Sequence, residues 1–288
     1  MAKHLLSIAE FTKDEILHLL DSCADVKENP GKYHDALKNK TLIMLFEKPS
    51  TRTRISFEAG MTRLGGHAIY FDPSGSQLSR GESLGDTAAT LSGYADAVMA
   101  RVFKHDALVE LARHSRIPVI NGLSDVEHPC QILADLFTMK ECGKLDGRIA
   151  YVGDGNNVCN SMALAAEILG LEFVISCPHE YEPSLGSPKI VRNPAEAVKG
   201  ADVVYTDVWI SMGNEAEEEA REREFMPYQV NGKLVAGAKK DYVFMHCLPA
   251  HRGYEVTDEV IDSKNSVVFQ QAENRMHMQN AILLKLIE

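Results

Sequence analysis

Two arginines stand where a helix ordinarily avoids them. The stretch Phe46-Glu47-Lys48-Pro49-Ser50-Thr51-Arg52-Thr53-Arg54 follows an apolar, strand-like run and opens a helical segment reaching to about Leu64. Ser50 suits a helix N-cap, yet positive charge in the first turn opposes the helix macrodipole. An anion bound at the helix start resolves the conflict. Backbone N–H groups, the hydroxyls of Ser50, Thr51 and Thr53, and the forked guanidinium of Arg52 then form a phosphate cradle. The stretch lacks the glycines and the Gly-Lys-Ser/Thr ending of a Walker loop. Arg54 has another use open to it, facing solvent or pairing with Glu58 four residues on.

Further polar loops follow other apolar runs. Ser74–Ser83 bears glycines and contains Gln77, Arg101 ends the next run, and His128-Pro129-Cys130-Gln131 comes after the one beyond. Singly, each reads more readily as structural. Ligands of open α/β sheets collect outside the carboxyl ends of strands, so together these groups can meet at one phosphate site.

The second half of the chain carries three such loops. Gly153-Asp154-Gly155-Asn156-Asn157-Val158 invites a dinucleotide reading, but Val158 occupies the third glycine position. The next strand ends at Cys177, where a ribose-binding acid belongs. Display of Asn157 towards a small polar ligand is the better use. In Asp207-Val208-Trp209-Ile210-Ser211-Met212-Gly213, Asp207 can pair with an ammonium while Ser211 and a backbone N–H receive a carboxylate, which together recognise an α-amino acid. The alternative is a helix N-cap at Asp207. His246-Cys247-Leu248-Pro249 suggests a nucleophilic pair, but adjacent residues seldom activate each other. The loop reads instead as a pocket wall of carbonyls and a thiol, with Pro249 holding Leu248 extended and a cis Leu248–Pro249 bond open to it.

The elements that must position these loops alternate between short apolar runs and amphipathic segments, the signature of α/β architecture with mostly parallel sheets. Strands are expected at Thr41–Phe46, Ala68–Phe71, Ala97–Arg101 and Pro118–Asn121. A later set comprises Arg148–Val152, Phe173–Ser176, Val203–Thr206, Val243–Met245 and Val267–Phe269. Gln131–Lys140 reads as a helix and Glu141–Gly147 as a glycine-bearing connection. The expected division is residues 1–140, 141–271 and a terminal helix in 272–288, Ala272–Ile287, packing back on the first domain. Each domain is a mostly parallel sheet flanked by helices, with the active site in the interdomain cleft. The acidic run Glu215–Glu224 reads as a solvated helix face.

A length of 288 residues exceeds what a single core usually fills. The formal charge of -11 argues against broad capture of nucleic acid or of an anionic membrane, so an anionic substrate requires a local basic cluster. Charged residues interrupt the first 20 positions, leaving neither a signal-peptide core nor a spanning segment and a cytoplasmic location as the expectation. The 6 cysteines show no CxxC pair and no zinc-ligand spacing, and read as free thiols with no metal.

Taken together, Ser50-Thr51-Arg52-Thr53-Arg54, His128-Pro129-x-Gln131 and His246-Cys247-Leu248-Pro249 resemble the aspartate/ornithine carbamoyltransferase family over essentially the whole chain. Aspartate-specific members are similar in the first two motifs but typically carry a mobile-loop lysine and a later His-Pro-Leu-Pro-Arg. Asp207-x-x-x-Ser211-Met212-Gly213 and His246-Cys247-Leu248-Pro249 look like the ornithine branch. Cys130 departs from the threonine more familiar there.

The resemblance implies carbamoyl transfer from carbamoyl phosphate to the side-chain amine of L-ornithine, a step of arginine biosynthesis, with no cofactor and no covalent enzyme intermediate. It implies that Ser50, Thr51, Arg52 and Thr53 hold the phosphate group, with Gln77 reaching in from a neighbouring subunit of a homotrimer or a multiple of trimers. Arg101, His128 and Gln131 hold the carbamoyl end. Asn157, Asp207, Ser211 and Met212 bind ornithine, while Cys247, Leu248 and Arg275 complete the pocket on the carbamoyl phosphate side. The catalytic groups are Arg52, Arg101, His128 and Cys247.

Overall fold

Near-continuous apolar runs, buried on both faces, make most of the strands of two all-parallel sheets. The computed structural model describes residues 4–210 and 218–287, and the chain divides into two compact units. The first comprises Met1–Ala134 with Asn274–Glu288, and the second Asp135–Glu273.

The first unit holds β1 (Thr41–Phe46), β2 (His67–Phe71), β3 (Ala97–Arg101) and β4 (Val119–Leu123) in the order β2-β1-β3-β4. The chain runs to one side of β1 and then returns to its other side, so the topological switch point lies between β1 and β3. Their register pairs Phe46 with Arg101. This brings the end of β3 beside the start of the Ser50 loop, where such sheets gather ligands. Helix Thr51–Arg63 follows, burying Thr53, Phe57, Gly60 and Met61, a spacing that keeps one stripe inward. Truncating the fully buried Phe57 to Ala costs about 3–5 kcal/mol. Gly60 lets the C-terminal helix come close, because a Cβ there collides with the Asn280 side chain.

The second unit holds β5 (Ile149–Val152), β6 (Phe173–Ser176), β7 (Lys189–Val191), β8 (Val203–Thr206) and β9 (Val243–His246), ordered β7-β6-β5-β8-β9. Its switch point lies between β5 and β8. Register pairs Tyr151 with Tyr205 and Thr206 with His246, so the loops after β5, β8 and β9 emerge side by side. Ala150, Val152, Val204, Phe244 and Val260 are among the residues of its core.

Two expectations need correction, and one strand lies outside those expected. Val267–Phe269 is not a strand: only Ser266 bridges to Phe244, and a helix runs from Val268 to Ile287. The run is too short for periodicity to separate strand from helix. The Val267 carbonyl already accepts the Gln271 N–H, and Phe269 is left 74% exposed. Lys189–Val191 is an edge strand of three residues that the sequence pattern left unmarked. Within the described part of the acidic run, helix Glu218–Phe225, Arg221 and Phe225 are buried. Their spacing of four puts both on one inward stripe, so the face is not wholly solvated. No helix among the described residues is long and apolar enough to cross a membrane.

Candidate active site

In the first unit, Ser50 is extended (φ -160°) and caps helix Thr51–Arg63, its hydroxyl accepting the Thr53 N–H at 3.3 Å and donating to Thr53 Oγ1 at 3.1 Å. Thr53 Oγ1 also accepts from Arg275 Nη2 at 3.0 Å, across 222 residues of sequence. The C-terminal helix thereby delivers an arginine to the helix start. Arg101 comes from the end of β3, and the Glu47 N–H donates to the Arg101 carbonyl at 2.9 Å, tying the loop to that strand.

Arg101 and Arg275 are 8% and 4% exposed, and Gln131 and His128 are buried with them in this unit. Burial, reinforced by the Arg275 and Arg101 charges, pushes the His128 imidazole well below its ordinary pKa. Burial and Arg101 likewise lower the Lys48 ammonium, whose Nζ sits 4.8 Å from the centre of the Phe103 ring. Guanidinium groups held this deep can meet the charge of a bound anion with forked hydrogen bonds. Thr51 is exposed and Arg52 half-buried in the first turn of helix Thr51–Arg63.

Arg54 takes the surface alternative, donating to Glu58 at 3.4 Å and lying 4.2 Å over the Tyr70 ring. Gln77 is exposed at the start of the short helix Gln77–Arg80. The Cys130 thiol is buried, donates to the Asn121 carbonyl, and is pushed up to about 12 by burial.

In the second unit, Asp207 ends the β8 run at 5% exposure. It accepts from Asn156 Nδ2 at 2.7 Å and from the Cys247 thiol at 2.9 Å. Among the described residues no cation pairs with it, so a buried carboxylate faces only neutral donors. The alternative of Asp207 as a helix N-cap is not what the structure has.

Asn156, given no role of its own by the sequence motifs, is the residue that reaches Asp207. Its Oδ1 caps helix Asn157–Leu169 by accepting the Val158 and Cys159 N–H groups at 3.0 and 3.1 Å, which turns its amide nitrogen towards Asp207. Asn157, half-buried at the first helical position, accepts the Val158 N–H. Its place just before a helix, where Asn caps well, was the available signal for Asn156. Gly155 serves packing: its N–H donates to the Tyr181 carbonyl at 2.9 Å, and a Cβ there would meet the Tyr181–Pro183 backbone.

Ser211 and Met212 lie outside the described residues. Cys247 does not form a nucleophilic pair with His246. Leu248 N–H donates to His246 Nδ1 at 2.9 Å, which places the ring proton on Nε2, 3.0 Å from Glu255 Oε1. One ligand atom each from Asp207, His246 and Cys247 lies within 4.8 Å of the others, but both imidazole nitrogens are already engaged. Leu248 is not extended either. Its φ is 59°, with its N–H turned back onto His246, and the Leu248–Pro249 peptide is cis.

Residues 3–141 match the family described as aspartate/ornithine carbamoyltransferase, carbamoyl-P binding domain. Residues 146–286 match the aspartate/ornithine carbamoyltransferase, Asp/Orn binding domain. An ornithine carbamoyltransferase of Archaeoglobus fulgidus is 56% identical over 99% of this chain and 97% of its own length. Solved ornithine carbamoyltransferases from Pyrococcus furiosus and Thermus thermophilus superpose with a TM-score of 0.93 each. The first is 51% identical, covering 98% of this chain and 96% of its own, and the second 42% identical with full coverage of both. With matches over both halves and nearly full-length relatives above half identity, the chain belongs to the aspartate/ornithine carbamoyltransferase family.

Proposed function

We propose that this protein is an ornithine carbamoyltransferase, moving the carbamoyl group of carbamoyl phosphate onto the δ-amine of L-ornithine to give L-citrulline and phosphate. The observation that carries the choice of acceptor is the buried Asp207 carboxylate, which accepts hydrogen bonds from Asn156 and Cys247 and has no cation among the described residues. An α-ammonium supplies that charge. The donor follows from Arg101 and Arg275, buried around the capped helix start at Ser50.

In this reading Ser50, Thr51, Arg52 and Thr53 hold the phosphate group, helped by Gln77 of a neighbouring copy in a homotrimer. Arg101, His128 and Gln131 hold the carbamoyl group, and Arg275 with the Cys247–Leu248 loop completes the donor site. Ornithine meets Asn157, Asp207, Ser211 and Met212, and Asn156 joins that set by holding Asp207. Carbamoyl phosphate and ornithine must be brought into contact with water excluded. The protein is expected in the cytoplasm.

The lone pair of the neutral δ-amine attacks the carbamoyl carbon, and the carbonyl oxygen gains negative charge stabilised by Arg101, His128 and Thr53. The carbon–oxygen bond to phosphate then breaks, its electron pair leaving with phosphate beside Arg52, and a phosphate oxygen takes the amine proton. His128 serves this step as a neutral hydrogen-bond donor, because burial and two guanidiniums hold its pKa well down. No covalent enzyme intermediate is needed.

The test is citrulline formation from carbamoyl phosphate with L-ornithine, set against turnover of putrescine, aspartate and N-acetylornithine. L-Ornithine is expected to be the preferred acceptor by a wide margin. Comparable or better turnover of any other amine rejects the assignment.

A further inference from the structure

Arg221 is a buried guanidinium outside every motif described above, and its contacts converge on the acceptor site. Its Nε donates to the Trp209 carbonyl at 2.8 Å, and its Nη2 forms an ion pair with Asp154. The guanidinium carbon lies 4.5 Å over the Tyr181 ring and 5.4 Å from the centre of the Phe225 ring. Trp209 stacks on Phe225 at 5.8 Å and meets Tyr254 edge-on at 6.5 Å.

The two tied points belong to different loops. Trp209 stands two residues after Asp207 at the end of β8, and Asp154 two residues before Asn156 at the end of β5. The hydrogen bond from Asn156 to Asp207 is made between those same loops. A guanidinium suits this use, because its planar fork reaches a carbonyl and a carboxylate at once while its face rests on aromatic rings.

We infer that Arg221 is a positioning residue for the acceptor half-site, clamping the Trp209 carbonyl to the Asp154 carboxylate and so fixing how Asn156 presents Asp207 to the substrate ammonium. The inference rests on the proposed ornithine site. Arg221 itself touches no reacting atom.

Arg221→Met keeps an apolar stem and removes both polar contacts. In a steady-state assay it is expected to raise the KM for L-ornithine about tenfold while the KM for carbamoyl phosphate stays within about twofold. Arg221→Lys, which keeps the charge without the fork, should recover part of that loss. Asp154→Asn is close to isosteric and preserves the Trp209 contact, so it carries the test should Arg221→Met fail to fold, with an expected rise of about threefold. The chain has 1 tryptophan, so Trp209 emission reads the clamp without catalysis. Its maximum should move to the red in Arg221→Met as the ring leaves its aromatic neighbours.

Folded variants with unchanged ornithine KM and unchanged emission overturn the inference. So does an equal rise in both KM values, which marks a general structural fault. Should the wild type form no citrulline from L-ornithine, the functional assignment fails, and the clamp is then judged on emission alone.

Discussion

The two half-sites share a scaffold and differ in charge and in assembly. Each lies where a parallel sheet changes winding direction, between β1 and β3 in one unit and between β5 and β8 in the other. The first gathers buried cations from separate parts of the sequence, Arg101 from a strand end and Arg275 from the last helix. The second centres on one buried carboxylate held by neighbouring loops, through Asn156 and Cys247. Topology therefore sets where a ligand sits, and the charge placed there sets which ligand it is.

The sharpest way to break the comparison is to discharge one half and look for damage in the other. Arg101→Ala is expected to lower kcat/KM by about a thousandfold, since it removes both donor binding and stabilisation of the carbonyl oxygen. Equilibrium binding of carbamoyl phosphate by calorimetry should weaken with it. Arg52→Ala, at a half-buried position in the first helical turn, should weaken that binding about a hundredfold while circular dichroism and thermal unfolding stay close to wild type. Retained affinity in folded Arg52→Ala would leave the cradle without its main support.

Asp207→Asn makes the reciprocal test. The KM for L-ornithine should rise about a hundredfold with carbamoyl phosphate affinity unchanged, because a buried charge partner is lost on one side only. If donor affinity falls equally, the halves are not separate in function.

A smaller effect is expected from pH. Burial, with Asp207 nearby, pushes the Asp154 carboxyl up to about 7 against the opposing pull of Arg221. Above that pH the carboxylate is ionised and pairs with Arg221. As pH falls through 7 the ion pair loses its charge, so the ornithine KM of the wild type should rise relative to that of Asp154→Asn. The change expected between pH 8 and pH 6 is about threefold. Protonation of free ornithine affects both proteins alike, so the ratio of their KM values isolates this group. A ratio that stays flat across the range removes Asp154 from the acceptor site.

Least of all should follow from Arg54→Ala. Its exposed pairing with Glu58 and its stacking on Tyr70 contribute about 0.5 kcal/mol to stability, and both KM values should be untouched.

Much of this was legible because it is local. Runs such as Thr41–Phe46 and Val203–Thr206 are mostly apolar and buried on both faces, and the polar loops sit directly after them. Ser50 as a cap and Asp207 as a binding candidate could be read from neighbours alone. Nothing local could bring Arg275 to Thr53, because 222 residues separate them; only the resemblance named it. Arg221 was hidden by its surroundings, since a charge among glutamates looks solvated until its helix face is known. Asn156 and Asn157 are the same residue type, and only the helix cap reveals which of them holds Asp207. Val267–Phe269 shows the limit of short apolar runs, where burial and chain direction decide between strand and helix.

The side-by-side ends of β5, β8 and β9 have a consequence for redesign. In the proposed function the acceptor is read by three short loops on buried strands, so its chemistry could be exchanged without touching the sheet. A library confined to Asn157 and Asp207 would sample new amines while Asn156 keeps capping its helix and the cradle at Ser50–Thr53, built on other strands, stays as it is. In such a library Gly155 belongs among the invariant positions, because the Tyr181–Pro183 backbone leaves no room there for a side chain.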